Sequence, residues 1–164
     1  MQEAARIFEW KVDVAEGEDD QGHKVPVLIL HHGQHRILAY QKGELIHLDY
    51  PIELTPHHTK ALAEKDKKIQ NDFYRILHRE LQDGRSGYFF NIEFKDKIPH
   101  LNKIIIQQRL VVQKLEPYTL QRIGDAVQEL VIIGMRCGSF LGHTFQEPSL
   151  GRKASSSSAD VMYR

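Results

Sequence analysis

This sequence of 164 residues has one cysteine, a net charge of zero and no long apolar run. Its single cysteine, Cys137, excludes an intramolecular disulfide and a cysteine-rich zinc module. The 22 basic and 22 acidic residues cancel, which argues against a surface that is basic throughout, as many nucleic-acid-binding proteins have. No apolar run approaches the ~20 residues that a membrane-spanning helix needs, so we expect no membrane insertion.

The remaining composition, 41% hydrophobic and 27% charged, is that of an ordinary globular protein. The length suits one domain, which we place at residues 1–150. The serine-rich segment within residues 151–164 lacks core-forming residues, so we expect a flexible tail there. The first residues lack the apolar segment of a secretory signal, and a lone thiol fits a reducing compartment, so we predict a cytoplasmic protein.

Charge is distributed unevenly along the chain. Residues 1–50 carry 5 basic and 9 acidic side chains, whereas residues 101–164 carry 8 basic and 5 acidic ones. An acidic front and a basic back could favour head-to-tail contacts or weak binding of polyanions. The alternative is that each part is simply solvated.

Alternating apolar and polar residues predict four consecutive strands in the first third of the chain. The alternation is clear over residues 6–14, and short apolar segments follow at 25–30, 37–40 and 45–50. Polar or glycine-containing turns separate these segments at regular intervals. This spacing predicts an antiparallel meander.

Helical periodicity follows the meander. Apolar residues recur at helical spacing between Thr55-Pro56, which we expect to begin a helix, and Leu81, and again over 118–134. Residues 88–94 are predicted to form a strand. We interpret 98–115 as a helix, with two strands as the alternative because β-branched residues are frequent there. The predicted fold is α+β, with about three helices and one intervening strand after the meander, and with the 118–134 helix packed centrally on the sheet.

Histidines gather at one predicted rim of the sheet. In a meander, the turn after the second strand lies at the same end as the exit from the fourth strand, so neighbouring carboxylates at Asp49 and Glu53 should lie nearby. Imidazole and carboxylate groups that converge can bind a divalent metal, zinc above all. Exposed turn residues without a metal are the alternative, because no strict ligand spacing is present. The histidines at this rim are His31, His32, His35, His57 and His58, and the metal hypothesis rests on all of them but His31.

A second hypothesis concerns catalysis near the predicted strand at 88–94. The acid-x-lysine pair Glu93 and Lys95, with Asp83 upstream, resembles the metal-dependent nuclease pattern of the restriction-endonuclease-like fold. That resemblance implies carboxylates that hold magnesium and a lysine that assists the attacking water. The alternative is an edge strand with an alternating charged face.

Glycines at every fourth position, Gly134, Gly138 and Gly142, would line one face of a helix and allow another backbone to approach closely. Each interior glycine costs a helix ~1 kcal/mol relative to alanine, which suggests compensation by tight packing within the chain or between subunits. The alternative is that the helix ends at Gly134 or Gly138. Cys137 between them is interpreted as a small buried residue rather than a nucleophile.

Two further hypotheses concern nucleic acid and modification. Adjacent aromatic residues at 88–90, followed by several lysines and arginines over 95–114, could stack single-stranded bases. Arg152-Lys153 precedes Ser155, a pattern that suits basophilic kinases. Neither pattern is a specific motif.

The sequence contains no glycine-rich phosphate loop, nucleophile elbow or strict metal motif. We therefore predict a non-catalytic binding or assembly protein that acts in a homo-oligomer or a larger complex. The alternatives are a protein that binds single-stranded nucleic acid, and a metal-binding protein or metal-dependent hydrolase built on the histidine rim.

Overall fold

The computed structural model describes residues 6–18, 22–82, 85–95, 98–111 and 117–145. These residues form one six-stranded sheet in the order β1-β2-β3-β4-β6-β5, together with helices. The strands are β1 (Lys11–Glu18), β2 (Lys24–His32), β3 (His35–Lys42), β4 (Leu45–Glu53), β5 (Gly87–Lys95) and β6 (Ile98–Val111), and the helices are α1 (Pro56–Ala63), α2 (Lys67–Leu81) and α3 (Pro117–Phe145).

The predicted meander is confirmed, since β1 to β4 pair antiparallel in chain order. The start of its first strand, predicted within 6–14, is wrong: residues 6–9 form a helical turn, and β1 begins at Lys11 because Glu9 has a φ of 55°, which a strand does not allow. Tight turns link the last three strands of the meander, and Gly33 and Gly43 lie in them with φ near +60°. Only glycine adopts this backbone conformation without steric cost, so these two residues fit the short hairpins. The α+β class is confirmed with them.

The helix predicted over 98–115 is wrong: residues 98–111 form the long strand β6, which pairs antiparallel with both β4 and β5. Ile104, Ile106 and Leu110 point to the same face and are buried there. Apolar residues at every second position are typical of a strand with one face in the core. The segment also fits a helical period, because apolar residues are so frequent in it that both periods find matches. Two strands, not one, therefore follow α2.

The helical stretch predicted after Thr55 forms two helices instead of one. The Thr55 side chain accepts a hydrogen bond from the backbone N–H of His58, so the predicted start is confirmed. The first helix ends at Ala63, and the carboxylate of Asp66 caps the second by accepting from the N–H of Ile69 at 3.0 Å. A side-chain cap at Asp66 favours a new helix start over a continuous helix.

All three named helices pack on the same face of the sheet, which we call the helix face. The prediction that the 118–134 helix packs on the sheet is confirmed, because α3 contacts β4 and β6. The core between these layers is apolar, with Leu48 and Leu130 fully buried. The opposite face of the sheet, which we call the open face, carries the alternate side chains of every strand.

No helix among the described residues is long and apolar enough to cross a membrane. The tail predicted at 151–164, with Ser155, lies outside the described residues.

Candidate interaction surface at a sheet edge

The two edge strands of the sheet differ in chemistry. On β1, charged side chains are frequent, and Lys24 of β2 binds Glu16 at 2.9 Å while His31 of β2 lies 2.8 Å from Asp13. Charged edge strands discourage pairing with other chains, because a docking strand would have to desolvate these groups. The β1 edge is therefore protected.

The other edge, β5, is largely apolar. Its sequence from Gly87 to Lys95 is GYFFNIEFK, and three of its large apolar side chains are exposed by 47% (Phe89), 37% (Ile92) and 74% (Phe94). Ile98, which opens β6 opposite Lys95, is exposed by 46%. An exposed, apolar edge of nine residues is a template for pairing with another strand.

The helix layer explains which half of β5 is uncovered. On the helix face, Phe90 contacts the rings of Tyr74 and His78 of α2 at centroid distances of 6.0 and 5.4 Å. Tyr88 lies against the same His78 ring and is hydrogen-bonded to it. Ile92 and Phe94 follow Phe90 on the same face, because the register shift between Asn91 and Ile92 adds its extra residue, Asn102, to β6 and not to β5. Their exposure shows that α2 gives them less cover. The exposed side chains thus concentrate at the second half of the strand.

A buried polar network occupies the middle of the open face. Asp49, only 8% exposed, accepts hydrogen bonds from the Gln107 amide at 2.7 Å and from the Tyr40 hydroxyl at 3.1 Å. Arg109 Nε donates to Gln107 Oε1 at 2.7 Å, and the His47 ring stacks on Tyr40 with centroids 4.9 Å apart. The Asp49 carboxylate on β4 thus links three strands, because it accepts hydrogen bonds from Tyr40 on β3 and from Gln107 on β6.

The rim histidines of the metal hypothesis have separate surroundings at the β2–β3 turn. His35 Nδ1 is hydrogen-bonded to the Tyr50 hydroxyl at 2.7 Å, and the His32 ring meets Trp10 edge-on. Burial and the neighbouring His32 charge lower the pKa of His35. His35 therefore supports the core as a neutral ring.

The other pair, His57 and His58, lies in the first turn of α1. The His58 ring stacks on Phe145 at the end of α3, with centroids 4.7 Å apart, and its pKa is lowered by burial and by His57. Across the residues that the structure describes, no three His, Cys, Asp or Glu side chains form a group that could hold a metal ion. The geometry thus gives the zinc hypothesis no support.

The glycines of α3 lie inside a continuous helix that runs on to Phe145, so the alternative of a helix end at Gly134 or Gly138 is wrong. Gly134 and Gly138 are buried, and Gly142 is half-buried. A Cβ on Gly134 would lie 2.5 Å from Cε1 of Tyr50, so this glycine allows α3 to approach β4 within the chain.

Two of the remaining sequence candidates lie on β5. Glu93 is exposed on β5, Lys95 ends that strand, and Asp83 lies outside the described residues. The thiol of Cys137 is fully buried, and burial together with Glu80 raises its pKa to about 12, so it is protonated at neutral pH.

The basic residues proposed to accompany the aromatic segment are partly engaged. Lys103 binds Glu53 at 3.0 Å, and Arg109 belongs to the open-face network. Phe89, on the open face, pairs with Ile105 of β6 across the sheet. Of the three adjacent rings at 88–90, Phe89 is the exposed one, so these residues do not form a row of exposed rings for base stacking.

Sequence reasoning missed two features. The Asp49–Gln107 bond joins residues far apart in the chain, so no local signal could have found it. The apolar edge did have a signal, because residues 88–94 are mostly apolar without strict alternation. That pattern is typical of a strand covered on both faces. The strand order confirms the alternative of an edge strand, but apolar side chains are exposed on it as well as the charged ones.

No protein-family model matches the chain, and neither does any curated protein sequence. Among solved structures, an uncharacterized protein from Methanothermobacter thermautotrophicus has a TM-score of 0.66 at 12% identity, over 88% of this chain and 96% of that chain. YbjN from E. coli, for which a role in transcription regulation has been suggested, has a TM-score of 0.49 at 15% identity, over 87% and 90% of the two chains. The first likeness shows that this fold occurs elsewhere and says nothing of function.

Proposed function

We propose that this chain is a non-catalytic binding protein that assembles with another polypeptide by adding a strand at the β5 edge. The observation that carries the proposal is the contrast between the two sheet edges: β1 is charged and β5 is apolar and exposed. Charged residues make up half of β1 but only Glu93 and Lys95 of the nine residues of β5, so the β5 edge is the less protected of the two.

Strand addition suits the chemistry of β5. A docking strand would receive main-chain hydrogen bonds from the edge, which supply affinity, while its side chains cover the exposed apolar groups, which supply specificity. Burial of Phe94 and Ile92 would contribute most to the free energy of association. Both side chains lie on the helix face beyond the part of β5 that Tyr74 and His78 contact. Removing such side chains from water favours association by about 25 cal/mol per Å² of apolar surface.

The test is the mass of the native particle from host cells that express either of two matched variants. Phe94→Lys places a charge on the apolar edge, whereas Val14→Lys places the same charge on β1, where Val14 is 67% exposed. Both positions are exposed and apolar on an edge strand, so the intrinsic cost to folding should be similar and small.

We expect the native particle to exceed 19.0 kDa, the mass of one chain, and to shrink with Phe94→Lys but not with Val14→Lys. A particle of one chain, or one that both variants change equally, would contradict the proposal. Salt-dependent binding of a labelled oligonucleotide by the purified chain, lost with Phe89→Ala, would favour the nucleic-acid alternative instead.

A further inference from the structure

We infer that the strand added at the β5 edge is β5 of a second copy of this chain, antiparallel to the first about a twofold axis at Ile92. This inference rests on the proposed function and names its partner. It would join two six-stranded sheets into one continuous sheet.

The residue pattern of β5 is complementary to its own reverse. With the axis at Ile92, the helix face places Phe90 opposite Phe94 of the second copy and Ile92 opposite itself. On the open face, the Asn91 amide lies opposite the Glu93 carboxylate of the second copy, to which it can donate a hydrogen bond. Opposed aromatic and branched side chains are favourable cross-strand pairs.

Neighbouring registers fit less well. An axis at Glu93 would place two carboxylates directly opposite each other, which is destabilising. An axis at Asn91 would place Glu93 opposite the apolar Phe89. The axis at Ile92 also sets Phe89 opposite a charged residue, Lys95 of the second copy, but a lysine is attracted to an aromatic ring whereas a carboxylate is not. The axis at Ile92 therefore gives the better match of the three.

The position of α2 favours a second copy over an unrelated strand. In each chain Tyr74 contacts Phe90 on the helix face, while Phe94 remains 74% exposed. In the antiparallel pair, Phe94 of one copy lies beside Phe90 of the other and thus beside the ring cluster that α2 supports. Each copy supplies the cover that the exposed half of the other lacks.

Closed pairing is also favoured over an open chain of subunits. A head-to-tail arrangement would pair β5 of one copy with β1 of the next, which would set apolar side chains against Asp13, Glu16 and Glu18. The twofold arrangement leaves the charged β1 edges outermost at both ends of the joined sheet, where they prevent further growth.

The first experiment measures the mass of the purified full chain by sedimentation across micromolar concentrations. We expect twice 19.0 kDa. Phe94→Lys should weaken self-association roughly a hundredfold, because each dimer loses this contact twice, and Val14→Lys should leave it unchanged. Phe94→Ser serves as a second edge variant if the lysine variant does not fold.

The second experiment tests the register with single cysteines. Residues directly opposite in an antiparallel pair have Cα atoms about 4.5–5.5 Å apart, which a disulfide can span. Ile92→Cys should therefore form a disulfide-linked dimer on mild oxidation. Phe94→Cys should not, because the two copies of residue 94 would lie about 13 Å apart along the strands. The native Cys137 is fully buried and does not compete.

A monomer at all concentrations would overturn this inference. If the host particle nevertheless shrinks with Phe94→Lys, the β5 edge binds a different polypeptide and the proposed function stands. A dimer that tolerates Phe94→Lys, or one in which Phe94→Cys cross-links as readily as Ile92→Cys, would overturn the inference as well.

Discussion

Substituting Gly134 by alanine tests how α3 is seated on the sheet. The added Cβ would lie 2.5, 2.7 and 3.0 Å from Cε1, Cζ and Cδ1 of the Tyr50 ring. The two shorter distances are below the closest approach of non-bonded carbon atoms. This ring is only 2% exposed, and its hydroxyl is hydrogen-bonded to His35. It therefore has little room to move aside.

Two opposing effects set the magnitude. Overpacking a well-packed core costs about 1–3 kcal/mol. Replacing glycine by alanine inside a helix gains about 1 kcal/mol. We expect the free energy of unfolding to decrease by up to about 2 kcal/mol. For a chain of this size, each kcal/mol lost lowers Tm by about 2–4 °C.

The assay is a double-mutant cycle measured by thermal and denaturant unfolding. In the Tyr50→Leu background the ring is absent, so Gly134→Ala should keep only its helix gain and become stabilising by about 1 kcal/mol. Gly124→Ala is the comparison variant. Its Cβ would meet the Phe8 ring at 2.5 Å, but that ring is only half-buried and can shift more easily.

The sign of the change in stability shows whether Gly134 serves the contact between α3 and β4. If Gly134→Ala raises Tm in the wild-type background, or changes stability equally with and without the Tyr50 ring, then Gly134 does not serve the contact between α3 and β4.

Two further perturbations address the open face and the β2–β3 turn. Asp49→Ala should lower the free energy of unfolding by about 1–3 kcal/mol, because Gln107 and Tyr40 lose their buried acceptor; an unchanged denaturant midpoint would show that water replaces the carboxylate. The depressed pKa of His35 means that the unfolded chain binds its proton more readily than the folded chain. The contribution of His35 to stability should thus be full above pH 6.5, the ordinary histidine pKa, and should decrease as the pH falls below 6.5 toward the folded pKa. His35→Gln should flatten this decrease in a pH series of unfolding midpoints. An equally steep decrease in the variant would assign it to other groups.

The local patterns of this sequence were enough to predict the meander and the presence of helices after it, although not the division into two helices at Asp66. Alternation within 6–14 and the glycine turns predicted the meander because side-chain periodicity and turn geometry depend on neighbours in the chain, although β1 begins only at Lys11. Thr55 and the 118–134 stripe predicted helices for the same reason. The prediction failed at 98–115, where apolar residues are so dense that both periods fit.

The candidate site was less predictable. The rim histidines do lie beside the β2–β3 turn and in α1, but the direction of each ring depends on the side chain that it contacts, such as Tyr50 for His35 and Phe145 for His58. The sequence contains the apolar residues of β5 without saying that they are exposed.

The amino-acid sequence by itself determined the class of fold, the order of the first four strands and the long helix that packs on β4, because these follow from local periodicity and capping. Only the tertiary structure decided that β6 inserts between β4 and β5. That insertion leaves β5 at the edge and joins Asp49 to Gln107 across the open face. Strand order arises from pairing between distant segments, and the exposure of Phe94 depends on that order rather than on its neighbours in the chain.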